Sequence, residues 1–393
     1  MALTLHYDGT NNTVPVGPIP ACTRAGTDAT RFNSSGVLET VAADTIRHNH
    51  DVSGTPLGWL VEEARTNIAL HNNDWTDAVY AATNITAVMD ATGPDNVANS
   101  ASTLTADANS GTITQAITVA SAQLTTSVWM KRVTGTGTVE ITDNAFTNAT
   151  DVTADINSST WSKVGDITRT QANPVVGIRL GTSGDVVEVS YLQTEAGAAS
   201  SSPIGTGVST VTRPVDIIKT TTMTWLGAAS GSMYIKLIKD YPAANGIAAS
   251  ANTGSNNNFI RYAVLSSKLN FQTTHAADDN GAIINTDNTV AGVAKESASA
   301  YADDDIAGYF DGADLKTDAT AGHPLSAALT EFSVGSRNGL TVLNGHVQEI
   351  RYYDERLANS VLQLMSSGTF PTAVSGAAPG IGLGFGKMGK MGA

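Results

Sequence analysis

A chain of 393 residues, 41% of them hydrophobic, is long enough for two or three cores, and its composition excludes wholesale disorder. Its 36 acidic and 22 basic residues leave a formal net charge of −14, which repels phosphate backbones and excludes nucleic acid as a partner class. The single cysteine, Cys22, excludes an internal disulfide, and no apolar run approaches the ~20 residues that span a bilayer, which excludes membrane insertion. Thirty-seven glycines, abundant Thr, Asn and Ser, and few helix-forming stretches predict an all-β protein of short strands and many turns.

Residues 1–22 are read as an extended N-terminal arm. Asp8-Gly9 suits a hairpin turn, and Pro15, Pro18 and Pro20 hold the next stretch extended. In residues 23–67, Val37, Leu38 and Val41 are candidate buried positions around a turn at Asn33–Gly36, and Gly58–Val61 reads as a short strand. Glu62 and Glu63 are adjacent carboxylates. Neighbours on a strand face opposite sides, so the two cannot flank one substrate as an acid/base pair does, and Arg65 is expected to satisfy one of them at an ion-paired junction. His48 and His50 alternate but have no third metal-type ligand nearby, so they read as surface histidines.

Residues 68–216 carry alternating or β-branched runs at Ser102–Ala106, Thr112–Val119, Leu124–Arg132, Val139–Asp143, Trp161–Thr168, Val175–Leu180 and Val186–Gln193. Clusters of Gly, Asn, Asp and Ser separate them, which is the pattern of an antiparallel sandwich. Trp129 and Trp161 lie on strands and are expected in a core, whereas Trp75, in a loop between Asp74 and Asp77, is the candidate glycan-stacking ring.

Residues 217–366 form a second sandwich, with strands expected at Thr221–Leu226, Gly231–Asp240, Asn258–Leu265, Lys268–Thr274, Ala291–Ser297, Asp304–Phe310 and Glu331–Ser336, and a hairpin turn at Asp311-Gly312. Asp303, Asp305 and Asp311 are the candidate ligands of a calcium ion, which prefers hard oxygen donors. Gly345–Tyr353 alternates with apolar residues on both faces, as a strand inside a sheet does. Asp354 is an expected N-cap for a helix that buries Leu357, Val361, Leu362 and Met365. No G-x-S-x-G elbow or H-E-x-x-H motif occurs, Cys22 has no thiolate-activating neighbours, and no catalytic residue is assigned. Residues 367–393 are a glycine-rich C-terminal arm without apolar periodicity, expected to be held by another subunit.

These residues carry two resemblances. Arg24, Ala25, Ala29, Thr30, Gly36, Val37, Arg47, Asp51, Gly54, Gly58, Leu60 and the run Glu62–Asn67 resemble a segment that recurs in bacteriophage head-fibre and tail-fibre proteins. In that type a carbohydrate-binding-module-like jelly roll comes next, matched here by Thr126–Lys131, Thr160–Val164, Gln193, Glu195, Pro203, Gly205, Thr212, Arg213 and Asp216. The closing strand and helix, with Phe332–Gly335 and Asp305–Gly312 before them, resemble concanavalin A-like lectin/glucanase domains of the laminin-G kind. The paired glutamates of that fold's glucanases, E-x-D-x-x-E, have no counterpart, since Glu349 stands alone on its strand. Together the resemblances imply two antiparallel β-sandwiches, a jelly roll and then a concanavalin A-like domain. They imply a structural virion protein made in a host bacterial cytoplasm and displayed on the outer surface of a tailed-phage particle, on the capsid or alternatively as a receptor-binding tail fibre. The expected partners are other virion proteins met through the terminal arms, two further copies in a homotrimer, and host glycans.

Overall fold

The structure, a computed structural model, describes residues 2–371 apart from residues 27, 228, 242–243, 255–256, 276–278 and 320–328; for 275, 279, 280, 286 and 314 it describes the backbone alone. The glycine-rich arm therefore lies, from residue 372 on, outside the described residues. No helix among the described residues is long and apolar enough to cross a membrane.

Leu3–Asp8 and Thr13–Val16 form the hairpin that Asp8-Gly9 predicts. Leu3–Asp8 then runs antiparallel to Gly345–Tyr353, with Leu5 opposite Tyr352 and Tyr7 opposite Ile350. Leu5 and Tyr7 are fully buried. Leu3–Asp8 and Thr13–Val16 are thus strands of a sheet rather than parts of an arm. The alternation of Leu3, Leu5 and Tyr7 outweighs the prolines, which fall at and beyond the hairpin's far edge. Ala21–Thr23 likewise pairs with Ile217–Thr220, and Pro56–Val61 pairs with the start of Gly345–Tyr353 through Trp59 opposite Val347.

One sandwich is therefore built from both ends of the chain. Its nine-stranded sheet runs Thr13–Val16, Leu3–Asp8, Gly345–Tyr353, Gly231–Lys239, Ala294–Ala302, Asp305–Phe310, Ala313–Asp318, with Pro56–Val61 and Arg47–His50 added beside Gly345–Tyr353. The facing seven-stranded sheet runs Asp279–Asn288, Lys268–His275, Phe259–Leu265, Gly246–Asn252, Glu331–Val334, Ile217–Thr220, Ala21–Thr23. Between them lies a core that includes Tyr7, Trp59, Ile235, Tyr262, Phe271, Phe332, Ile350 and Tyr352. Gly345–Tyr353 is an interior strand, as its two apolar faces require. Asp311 and Gly312 both take positive φ, 49° and 74°, the geometry of a two-residue hairpin turn. The strand expected at Thr221–Leu226 is instead a turn that carries Trp225 into the core, with its indole donating to the Thr222 carbonyl at 2.8 Å. The closing helix begins only at Asn359, and Ala358 rather than Asp354 stands at its N-cap.

The second sandwich is inserted between Val61 and Ile217. Its two five-stranded sheets run Ile85–Ala91, Ala101–Ala106, Val186–Ala196, Ala122–Thr134, Ser162–Gln171 and Thr150–Asp151, Val139–Thr142, Val175–Leu180, Gly111–Ala116, Tyr80–Thr83. Leu104, Ile113, Val128, Met130, Ile141, Ile178 and Val189 fill the space between them. The fold is thus two antiparallel β-sandwiches, one interrupting the other.

Gly345 tests the register of the central strand. A Cβ there would sit 2.3 Å from the Ile238 carbonyl oxygen, which is backbone and cannot swing away. Gly345→Ala is expected to push the strand from its partner and cost on the order of 1–3 kcal/mol. Urea denaturation would show a lowered midpoint with an unchanged slope.

Candidate functional site

The chain leaves the outer sandwich at Val61 and re-enters it at Ile217, and the two crossings run side by side. Arg65–Asn67 pairs antiparallel with Val211–Arg213, and the Asp216 N–H donates to the Glu62 carbonyl at 3.0 Å. Five charged side chains converge here, each no more than 6% exposed: Arg24, Arg47, Glu62, Arg213 and Asp216. Asp216 accepts from Arg24 Nη1 at 2.9 Å, from the Glu62 N–H at 3.0 Å and from Arg47 Nη2. Glu62 accepts from the Ser202 N–H and hydroxyl, both at 2.7 Å, and pairs with Arg47 at 2.7 Å and Arg213 at 3.5 Å. Arg24 also donates to the Val41 and Thr45 carbonyls, each at 3.2 Å. Segments near residues 24, 47, 62, 202 and 213 are thereby tied to one point.

Burial alone would raise the Glu62 pKa, but the charges of Arg213 and Arg47 and the two Ser202 hydrogen bonds outweigh it and hold the carboxyl well below the usual range. Glu195, also buried, moves the other way. Burial raises its pKa, although Ser201 hydrogen bonds and Arg65 pull it down. The expected ion-paired junction is present: Arg65 meets Glu63 at 2.5 Å, and Glu62 goes to Arg47 and Arg213.

Beside this network a cleft of about 200 Å³ opens between the sandwiches. Phe32, Leu38, Leu60 and Trp129 line it, with the Phe32 and Trp129 rings 5.0 Å apart between centroids. Arg31, Glu62, Lys163, Ser200, Asp240 and His346 are among its polar lining. Asn49 fixes the imidazole. Its Oδ1 accepts the Phe32 N–H at 2.8 Å, so its Nδ2 must donate to His346 Nε2 at 2.9 Å. The ring proton then sits on Nδ1, which is buried, has no hydrogen bond among the described residues and stands 3.3 Å from Asp240 Oδ1.

The residues singled out from sequence lie elsewhere. Trp75 is only 1% exposed and stacks on Tyr80 at 4.6 Å, so it presents no face to a sugar. Asp74 and Asp77 cap nearby backbone N–H groups at Thr76 and Val79, turning the loop so that the acids stay outside and the indole goes in. Trp129 is buried, though in the small cluster under the cleft with Phe32 and Leu38 rather than in a main core, and Trp161 is half-buried beneath Lys131. Asp303, Asp305 and Asp311 do not converge on an ion. Asp305 pairs with Arg356 at 2.8 Å, Asp311 takes Lys295 at 2.7 Å and the Glu296 N–H at 2.9 Å, and Asp303 points to solvent. No group of three or more metal-type ligands occurs among the described residues. His48 and His50 are half-buried and buried, hydrogen-bonded to the Thr10 and Phe32 carbonyls rather than free at the surface. The Cys22 thiol is pushed up to about 11 by burial and by Asp216.

Fold and site together define a two-sandwich β protein whose domains are joined by a buried charge network with a cleft beside it. No family model and no curated protein matches the chain. Among solved structures it is similar to the NanB sialidase of Streptococcus pneumoniae, at 14% identity and TM-score 0.32, over 37% of this chain and 25% of that one. It is also similar to the heptameric SAP-like pentraxin of Limulus polyphemus, at 15% identity and TM-score 0.29, over 37% of this chain and 74% of that one. A third is the CBM40 of the Ruminococcus gnavus IT-sialidase bound to α2,3 sialyllactose, at 12% identity and TM-score 0.31, over 36% of this chain and 84% of that one. The chain thus spans a quarter of the length of the NanB structure.

Proposed function

We propose that the chain is a structural protein of a tailed-bacteriophage particle, carried on the capsid's outer surface as a decoration or head fibre, and that it displays its two sandwiches as non-catalytic, lectin-like units. The observation that carries this reading is where the residues of the phage-type resemblance go. Arg24, Arg47, Glu62, Arg213 and Asp216 are far apart in sequence, and all meet in one buried network between the sandwiches. A signature spent on fixing two domains relative to each other suits display, which needs rigidity. Glu62 is held by two arginines, which suits a structural role. The partners of this reading are other virion proteins, met through the glycine-rich residues 367–393, and two further copies in a trimer. The N-terminal residues are committed to the sheet and leave that role to the C-terminal segment.

Particles banded from a lysate of cells carrying the gene should bind an antibody raised against the purified chain. Label over the capsid is the expected result in negative-stain images. Label confined to the tail tip would favour the receptor-binding fibre, and banded particles free of the protein would refute both.

A further inference from the structure

We infer that the cleft between the sandwiches is a binding site for one neutral pyranose ring. The inference rests on the display reading only for the supply of surface polysaccharide; the site itself is argued from its lining.

Size comes first. At about 200 Å³ the cleft is smaller than the roughly 300–1,000 Å³ of pockets for drug-sized molecules, so it takes a single ring and not an extended chain. Its lining is divided. Phe32, Leu38, Leu60 and Trp129 make one side apolar, while Asp240 and His346 stand on the polar side. A pyranose has the same division, with a C–H face and a rim of hydroxyls. Charge narrows the class further. The lining carries two charges of each sign, Arg31 and Lys163 against Glu62 and the half-exposed Asp240, so it favours neither an anion nor a cation.

The donor and acceptor pattern is specific. His346 is 4% exposed, and its Nδ1 is buried beneath the lining. Asp240 Oδ1 lies 3.3 Å from that nitrogen, so the imidazole backs the half-exposed carboxylate, which is the group a ligand meets. One hydroxyl of a ring can donate to one oxygen of that carboxylate, and the next hydroxyl can reach the second. A vicinal diol satisfies both oxygens at once. The arrangement is fixed before any ligand arrives, because Asn49 links the imidazole to the backbone of Phe32 on the apolar side.

The test is a titration of the isotopically labelled full chain with the methyl glycosides of glucose, galactose, mannose and N-acetylglucosamine. At least one should give saturable shifts at the His346 ring and the Trp129 indole. Asp240→Asn, at a half-exposed position that leaves the fold intact, should weaken that binding roughly tenfold or more. No shift at either probe with any glycoside overturns the assignment, and so does unchanged affinity in Asp240→Asn, which would place the sugar elsewhere. Neither result alters where the antibody labels the particle, so failure of the site is distinguishable from failure of the display reading.

Discussion

Asp216→Ala is expected to destabilise the protein by about 3–5 kcal/mol, the range for removing one partner from a buried ion pair. The aspartate is the acceptor shared by Arg24 and Arg47, both no more than 1% exposed, and it also takes the Glu62 N–H. Its removal takes the carboxylate from Arg24 and leaves Arg47 with Glu62 alone, in a site closed to water. The Nε atoms of Arg24, Arg47 and Arg213 already lack partners among the described residues, so the network has no spare acceptor to offer. The melting temperature of the variant should fall by several degrees, and the loss should be shared by both sandwiches, since the network ties Arg47 of one to Ser202 on the return path of the other. Asp216→Asn should lose less, because an amide oxygen can still accept one guanidinium. Equal melting temperatures for Asp216→Ala and the parent would show that water reaches the arginines and that the junction is not sealed.

What could be read from sequence was local. The alternation of Gly345–Tyr353 needs no partner to be seen, and neither does Asp311-Gly312, where both residues tolerate positive φ. Glu62, Glu63 and Arg65 announce a charged junction because three ionisable groups beside a strand must find partners. Arg65 was expected to meet one of the two glutamates and does, but which distant partners Glu62 finds was not legible. Arg47 lies 15 residues before Glu62 and Arg213 lies 151 after it, and only closure of the sandwich brings them together. The same limit explains the N-terminal strand, whose partner is some 345 residues away. Trp75 misled because the aspartates around it signal solvent, whereas their carboxylates cap a turn and the ring goes inward. The cleft left no trace in sequence: Phe32, Trp129, Asp240 and His346 come from four distant segments, and none belongs to a motif for binding.

Glu62 gives the second large effect, and its sign can be worked out. Its folded pKa is depressed by Arg213 and Arg47 against the opposing push of burial, while in the unfolded chain it returns to about 4.3. A depressed carboxylate stabilises the fold fully above the unfolded value. As pH falls below about 4.3, the unfolded chain takes up a proton that the folded chain refuses, and the advantage shrinks until the folded pKa is passed. Glu195 contributes in the opposite sense. Its raised pKa makes the ionised form unfavourable in the fold, and that penalty is relieved as pH falls through the folded value. The acid profile of the whole protein therefore mixes the two, and only a difference curve isolates Glu62. Glu62→Gln is expected to be less stable than the parent by about 3 kcal/mol at neutral pH, since Arg47 and Arg213 lose a charged acceptor. Urea midpoints taken at intervals from pH 7 to pH 3 should show a constant gap down to about pH 5 that narrows below about 4.3. A gap that stays constant to pH 3 would mean that Glu62 titrates alike in both states and that the two arginines do not hold its charge.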